Sequence, residues 1–284
     1  MYNESFGSAF KRIYNSWPVA LRTIITINVV VFLVQVLSGR AFDNTYIVPY
    51  LGFVTSWKTA LFQPWRIVTY MFLHATIWHI LFNMLWLWWM GRAVEETLGS
   101  RLFIVIYFGS GIGGALIDVL VSPFIGTSLV IGASGAVFGI LVAFAVLYPR
   151  MPIQLILLPP IEARYVVAGL IAIEVLFLGS SDHVARVVHL GGALAGYLIV
   201  KSYYKGYDYN RLFYAFDGLW QRMKGPKVSH SAKNKHMKSV SNADVVDEKD
   251  QSELDRILEK ISKTGYEGLT DEEKRILFEL SKRN

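Results

Sequence analysis

Residues 132–139 read GASGAVFG, one serine among three glycines at the head of the uncharged run IGASGAVFGILVAFAVLY, residues 131–148. A bilayer core about 30 Å thick needs roughly 20 apolar residues per crossing helix, so a run of this kind reads as a membrane span. Five similar runs flank it: 20–38 (Ala20 to Ser38), 76–97, 102–122, 164–180 and 185–204. Hydrophobic residues make up 53% of the 284 and charged residues 18%, and mean hydropathy is positive, which lies outside the range of ordinary soluble domains. The expected fold is an all-α membrane protein with six transmembrane helices.

The net charge of +6 raises the possibility of a nucleic-acid partner, but its placement argues against one. Lys11, Arg12 and Arg22 precede or open the first run. Arg92 and Arg101 flank the turn between the second and third, Arg150 and Arg164 lie between the fourth and fifth, and Lys201, Lys205 and Arg211 follow the sixth. The loops 121–130 and 181–184 hold only Asp182 between them. By the positive-inside rule both termini face the cytoplasm, with Arg40, Lys58 and Arg66 in an outer loop as exceptions. Polar Asn3, Glu4, Lys11 and Arg12 lead straight into the first run, unlike a cleaved leader, so that helix is expected to be kept. With no transit-peptide pattern, the expected site is a bacterial plasma membrane. The chain has no cysteine, which excludes disulfides and thiolate chemistry. No cofactor and no metal are expected.

Composition divides the chain into an N-terminal segment (1–18), a helical core (19–204), a polar linker (205–250) and a tail (251–284). Within the core, residues 39–75 form a long outer loop whose Trp57, Phe62, Trp65 and Tyr70 suit the headgroup layer. Pro152, Pro159 and Pro160 break the apolar stretch MPIQLILLPPIEARY, residues 151–165, into a cytoplasmic connection. In the tail, Leu254, Ile257, Leu258 and Ile261 recur at helical spacing. Gly265 can end that helix, and Thr270 with Glu273 forms a capping box that opens another, predicting a helical hairpin.

Polar groups inside a bilayer are costly and are functional candidates by default. With the N-terminus inside, the second, fourth and sixth helices all start at the outer face. Ser134, a few residues into the fourth, is then on the order of 5 Å below the boundary at about 1.5 Å rise per residue. His189 lies a few residues into the sixth helix, and His79 and Asn83, four apart and so on one face, near the start of the second. A serine beside a neutral imidazole is the minimum for an activated hydroxyl nucleophile, and two further N–H donors at that depth can hold a developing oxyanion. By itself Ser134 reads more plainly as a helix-packing residue; four polar groups at one depth favour amide hydrolysis. Gly135-x3-Gly139 and Gly192-x3-Gly196 are small-xxx-small patterns that let two helices approach closely enough for short side chains to meet.

These residues together resemble the rhomboid family of intramembrane serine proteases. The resemblance rests on Trp65-Arg66, His74-x4-His79-x3-Asn83, Gly91-x3-Glu95-x3-Gly99, Gly132-x-Ser134-Gly135-x3-Gly139 and His189-x2-Gly192-x3-Gly196, in the family's order across roughly residues 18–204. It implies a rhomboid-like six-helix bundle and a Ser134–His189 dyad without a third carboxylate. It also implies an oxyanion hole from His79, Asn83 and the Ser134 backbone N–H, and Phe138 packed on the histidine where members often carry tyrosine. The implied partners are the lipid bilayer and single-pass transmembrane substrates cut near the outer face. The alternatives are a catalytically silent relative that binds membrane clients, and a small transporter using Glu174, mid-way along the fifth helix, as a proton site. Glu174 otherwise reads as facing the bundle. Arg92 and Glu95 read as structural, His74 as bracing the first loop, Asp118 as wet, and Gly109-x-Gly111-x2-Gly114 as a helix-packing surface and not a dinucleotide loop.

Overall fold

The computed structural model describes residues 6–38, 47–155, 159–178, 183–214, 256–263 and 265–281. Contacts divide the chain into one unit ending at Pro226 and another beginning at Lys227. Asn3, Glu4, Arg40, Asp182, Leu254 and the linker stretch 225–250 lie outside the described residues.

In the first unit α1 (Phe6–Asn15) precedes α2 (Val19–Ser38); α3 (Val48–Leu51), α4 (Trp57–Phe62) and α5 (Arg66–Thr69) are short helices of the outer loop. The long helices follow: α6 (Ile77–Ile125), α7 (Ser134–Leu147), α8 (Ala163–Leu176) and α9 (His183–Tyr204). Gly99, at φ 77° and ψ 159°, breaks α6 into two arms, 77–98 and 100–125. At about 1.5 Å per residue the arms are about 33 and about 39 Å long, each enough to cross a bilayer core. Gly91 of the first arm lies against Phe103 of the second, so the chain doubles back at Gly99, where an L side chain would be strained. Among the described helices, α2 and α6 have both the length and the hydropathy of membrane spans.

The core is apolar, as in a water-soluble protein, but the outward faces are apolar as well. The buried stripe of α2 carries Asn28 and Gln35 among Leu21, Ile24 and Phe32, whereas its outward face shows Val30, Leu33, Val34 and Leu37, the last 84% exposed. The first arm of α6 likewise buries Asn83 and Glu95 and turns out Trp78, Leu81, Phe82 and Leu85. Contiguous apolar faces of this size are unstable in water and natural in lipid, where the polar groups must find partners inside. Asn28 Nδ2 does so at the Ile24 carbonyl, 2.8 Å. Glu95 does so at the start of α2: its oxygens accept from the Ala20 and Leu21 N–H groups at 2.9 and 2.6 Å and from Ser100 Oγ at 2.6 Å. A carboxylate there satisfies two N–H groups that a helix leaves unpaired at its positive end. Asp118, expected to be wet, is instead buried, because the second arm packs inside the bundle.

Two short antiparallel pairs tie the loops. β1 (Phe53–Val54) pairs with β2 (Leu129–Val130), joining the outer loop to the segment before Ser134. β3 (Pro152–Ile153) pairs with β4 (Ile161–Glu162), so the proline-broken connection is a hairpin, of which residues 156–158 lie outside the description. The glycines from 109 to 114 do pack helices together: a side chain on Gly113 would meet Ala195 Cβ at 2.6 Å, and one on Gly109 would meet Ile199 Cδ1 at 2.7 Å.

In the second unit, residues 256–263 are helical and α10 (Asp271–Ser281) follows a turn at Gly265, with Ile257 and Leu269 buried. Thr270 N–H donates to Glu273 Oε2 at 2.8 Å, and Lys260 Nζ reaches both Glu273 oxygens at 2.9 and 2.8 Å. The Lys260 ammonium, then the Thr270 donors, hold the Glu273 carboxyl down at about 2.

Candidate active site

The serine of GASGAVFG is the first residue of α7, not a residue some way inside a helix. Gly132 at φ +129° turns the chain between β2 and α7, and its N–H donates to the Tyr70 carbonyl at 2.9 Å. Thr55 and Ser128 hold the preceding strand, Thr55 N–H on the Ser128 carbonyl at 2.9 Å and Ser128 N–H on Thr55 Oγ1 at 3.0 Å. Ser134 therefore sits at a rigid strand-to-helix corner. Its backbone N–H is one of the four a helix leaves without an internal acceptor, at the positive end of the helix.

Packing between α7 and α9 sets the next contact. A side chain on Gly196 would stand 2.6 Å from Gly139 Cα, and one on Gly192 would meet the Gly135 backbone, so the two helices touch main chain to main chain. At this separation His189 Nε2 lies 2.6 Å from Ser134 Oγ. One turn along α7, Phe138 stacks on the imidazole with ring centroids 4.8 Å apart and planes 13° from parallel. On the far side of the ring, Glu174 Oε1 is 3.1 Å from His189 Nδ1, while Glu174 Oε2 is 3.3 Å from Arg186 Nη1.

Facing the serine, α6 supplies His79 and Asn83. Thr76 caps this helix by accepting from His79 N–H at 3.1 Å. Ala75 N–H donates to His79 Nδ1 at 3.4 Å, which leaves the ring proton on Nε2. His79 Nε2 occupies the space beside Gly132: a Cβ there would be 2.7 Å from it. Asn83 is buried one turn on, its Nδ2 donating to the His79 carbonyl at 2.9 Å. His74 is buried edge-on to His79, ring centroids 5.0 Å apart. Its backbone is fixed by Gln35, whose Oε1 accepts from His74 N–H at 3.1 Å.

Ser134, His189, His79 and Asn83 line a single cavity of about 730 Å³, with Trp86 and Leu141 among its apolar walls. The arrangement has the parts of acyl-transfer chemistry: a hydroxyl on an imidazole, and N–H groups converging beside it.

The Rhomboid domain family matches residues 61–205, half of the chain. The chain belongs to the rhomboid family. Its relatives include rhomboid-like protease 3 of Toxoplasma gondii, 29% identical over 214 residues that make up 72% of this chain and 78% of that protein. Rhomboid protease GluP of Bacillus subtilis is 31% identical over 183 residues, 64% of this chain and 34% of the relative. Rhomboid protein 1, mitochondrial, of Saccharomyces cerevisiae is 36% identical over 135 residues, 45% of this chain and 38% of the relative. The chain thus spans only about a third of the length of the last two. Residues 247–283 match a family of unknown function, DUF6576. With rhomboid membership comes the enzyme class, a serine-type peptide hydrolase that is an integral membrane protein. Relatives from bacteria and eukaryotes alike do not single out a bacterial plasma membrane.

The remaining rhomboid motif residues support the site from a distance. Trp65 Nε1 donates to the Tyr50 carbonyl at 3.3 Å, and Arg66 reaches the Gly52 carbonyl at 3.0 Å and the Pro49 carbonyl, closing the outer loop on itself. Glu95 caps α2, as described. Two residues were not foreseen in this neighbourhood. Tyr70 pins the loop through its carbonyl on Gly132 and its hydroxyl on the Gly111 carbonyl, 2.7 Å. Glu174 was expected mid-helix, but α8 ends at Leu176 and so places it in the last turn, level with His189. The isolated carboxylate in GLIAIEVLFL was the available signal, and only the helix end was misplaced.

Proposed function

We propose that Ser134 and His189 are the catalytic pair of an intramembrane endopeptidase, acting on a transmembrane segment of a substrate protein near the outer face. The observation that carries this reading is the 2.6 Å contact between Ser134 Oγ and His189 Nε2 inside the cavity, with Phe138 stacked on the imidazole. As Oγ attacks the scissile carbonyl carbon, its proton passes to Nε2. The new C–O bond leaves a tetrahedral oxyanion beside the Ser134 backbone N–H, His79 Nε2–H and the Asn83 amide. His189 then returns the proton to the departing amine as the C–N bond breaks, and water admitted to the cavity hydrolyses the acyl-enzyme by the same route.

In this reading six helices cross the bilayer: α2, the two arms of α6, α7, α8 and α9. Both termini are cytoplasmic, from the distribution of Lys and Arg. The apolar outward faces of α2 and α6 support a lipid setting. The contact of Glu174 with His189, beside Ser134, favours the hydrolase reading over the transporter reading.

The test is cleavage of a tagged single-span substrate in proteoliposomes by the intact protein and by Ser134→Ala. Product from the intact protein alone is expected. Equal cleavage by both would remove Ser134 from the mechanism.

A further inference from the structure

We infer that Glu174 completes the hydrolytic centre as a positioning residue for His189, turning the Ser–His pair into a Ser134–His189–Glu174 line. The inference rests on the Ser134–His189 chemistry proposed above and goes beyond it, since the rhomboid resemblance implied no third carboxylate.

The argument begins with the proton on the imidazole. For Nε2 to accept from Ser134, the neutral ring must carry its hydrogen on Nδ1. That N–H has no aligned hydrogen-bond partner among the described residues, yet a carboxylate oxygen stands 3.1 Å from it. The approach is at ion-pair distance without hydrogen-bond alignment. A carboxylate at this distance still acts on the ring electrostatically without a straight hydrogen bond. The other two sides of the ring are already taken, by Ser134 at Nε2 and by Phe138 on its face, which leaves Glu174 as the group that sets the ring's rotation.

Arg186 explains how a carboxylate persists here. It lies three residues before His189 on α9, hence on the same face, and Glu174 bridges the two, one oxygen on each. The three side chains are 12% to 21% exposed, a setting in which a lone carboxylate is costlier than a paired one. Glu174 is also absent from the lining of the cavity, so it touches His189 and not the substrate. Its effect therefore belongs to the rate of the chemical step and not to substrate binding. When the imidazole takes the serine proton, the nearby carboxylate stabilises the cation formed.

The expected effect is smaller than in a soluble triad. There, replacing the aspartate by its amide lowers kcat about 10⁴-fold; here the contact is unaligned and shared with Arg186, and a fall of about 10- to 100-fold is expected.

The experiment compares the full chain with Glu174→Gln and Ser134→Ala in proteoliposomes. It measures kcat and KM for a single-span substrate, the rate and end-point of fluorophosphonate labelling at Ser134, and the melting temperature. Expected for Glu174→Gln are a kcat lowered about 10- to 100-fold, a labelling rate lowered in parallel, KM within about twofold, and an unchanged labelling end-point. A kcat within twofold of the intact protein overturns the inference. So does a fall in kcat matched by an equal fall in the labelling end-point, because the loss is then misfolding. Should Glu174→Gln fail to fold with Arg186 unpaired, the doubly neutral Glu174→Gln/Arg186→Gln variant is held to the same criteria. Failure of the underlying proposal looks different: Ser134→Ala would then cut as fast as the intact protein.

Discussion

Gly196→Ala tests whether backbone contact between α7 and α9 sets the distance between serine and histidine. The new Cβ would stand 2.6 Å from Gly139 Cα, 2.7 Å from its carbonyl oxygen and 2.9 Å from its carbonyl carbon, all main-chain atoms that no rotamer change can move. Carbon atoms pack at about 3.5–4.0 Å, so the two helices must part by about 1 Å at this level. His189 lies two turns away on the same face of α9. If the separation reaches it in full, the 2.6 Å contact with Ser134 opens to about 3.6 Å, beyond hydrogen-bond range. A misplacement of about 1 Å costs on the order of 10²-fold in rate, or about 2.7 kcal/mol in the barrier. Overpacking should also lower stability by about 1–3 kcal/mol. The assay is kcat in proteoliposomes together with the labelling rate of Ser134. Gly169→Ala on α8, where nothing lies within 4 Å of the added methyl, is the matched control and should leave both values unchanged. A Gly196→Ala protein with the intact kcat and labelling rate would refute the argument that this contact positions the pair.

Gly132→Ala acts on the other side of the serine. Its Cβ would meet His79 Nε2 at 2.7 Å at a φ of +129°, so the imidazole must withdraw; if His79 is an oxyanion donor as proposed, its loss predicts a kcat about 10²- to 10³-fold lower, read in the same cleavage assay. In the C-terminal unit, Glu273 is held at about 2, below its ordinary value of 4.5. Its contribution is therefore fully present above about pH 4.5 and lost as pH falls from there through about 2. Hydrogen exchange of residues 256–281 in the full chain, corrected for intrinsic rates, should loosen in that window and already be loose at neutral pH in Glu273→Gln.

Much of the site was legible because membrane helices carry their own ruler. Each span converts residue number into depth, so His79, Asn83, Ser134 and His189 fall at one level by counting alone, and the cavity does gather all four. What counting missed was the helix ends. Apolar residues continue past both termini of the real helices, so hydropathy does not mark where the ladder stops. Residues 131–133 are as apolar as α7 itself, but Gly132 and the β1–β2 pairing make them a corner, and Ser134 becomes a helix start. The same ambiguity extended α8 on paper to residue 180 and left Glu174 stranded mid-membrane, when it lies in the last turn beside His189. The burial of Asp118 followed from neither periodicity nor depth, because it depends on which face of the second arm of α6 meets the other helices.

The placing of the few buried polar groups also bears on how hydrolysis is possible in such a place. A bilayer excludes the water the reaction consumes and penalises the charges it develops. Here several of the buried polar groups have a protein partner: Asn28 Nδ2 on Ile24, Glu95 on the start of α2, Glu174 on Arg186 and His189. In the mechanism proposed above, the donors that meet developing charge are those whose position is fixed by the backbone, the N–H at the head of α7 and the His79 ring wedged against Gly132. Preorganised donors of this kind need no reorganisation as charge appears, and they act more strongly where water is scarce. On that mechanism the glycines that let α7 and α9 touch, and the one that turns the chain ahead of Ser134, serve the chemistry as well as the packing. Substitutions at Gly132 and Gly196 are for that reason expected to lower kcat before they unfold the bundle.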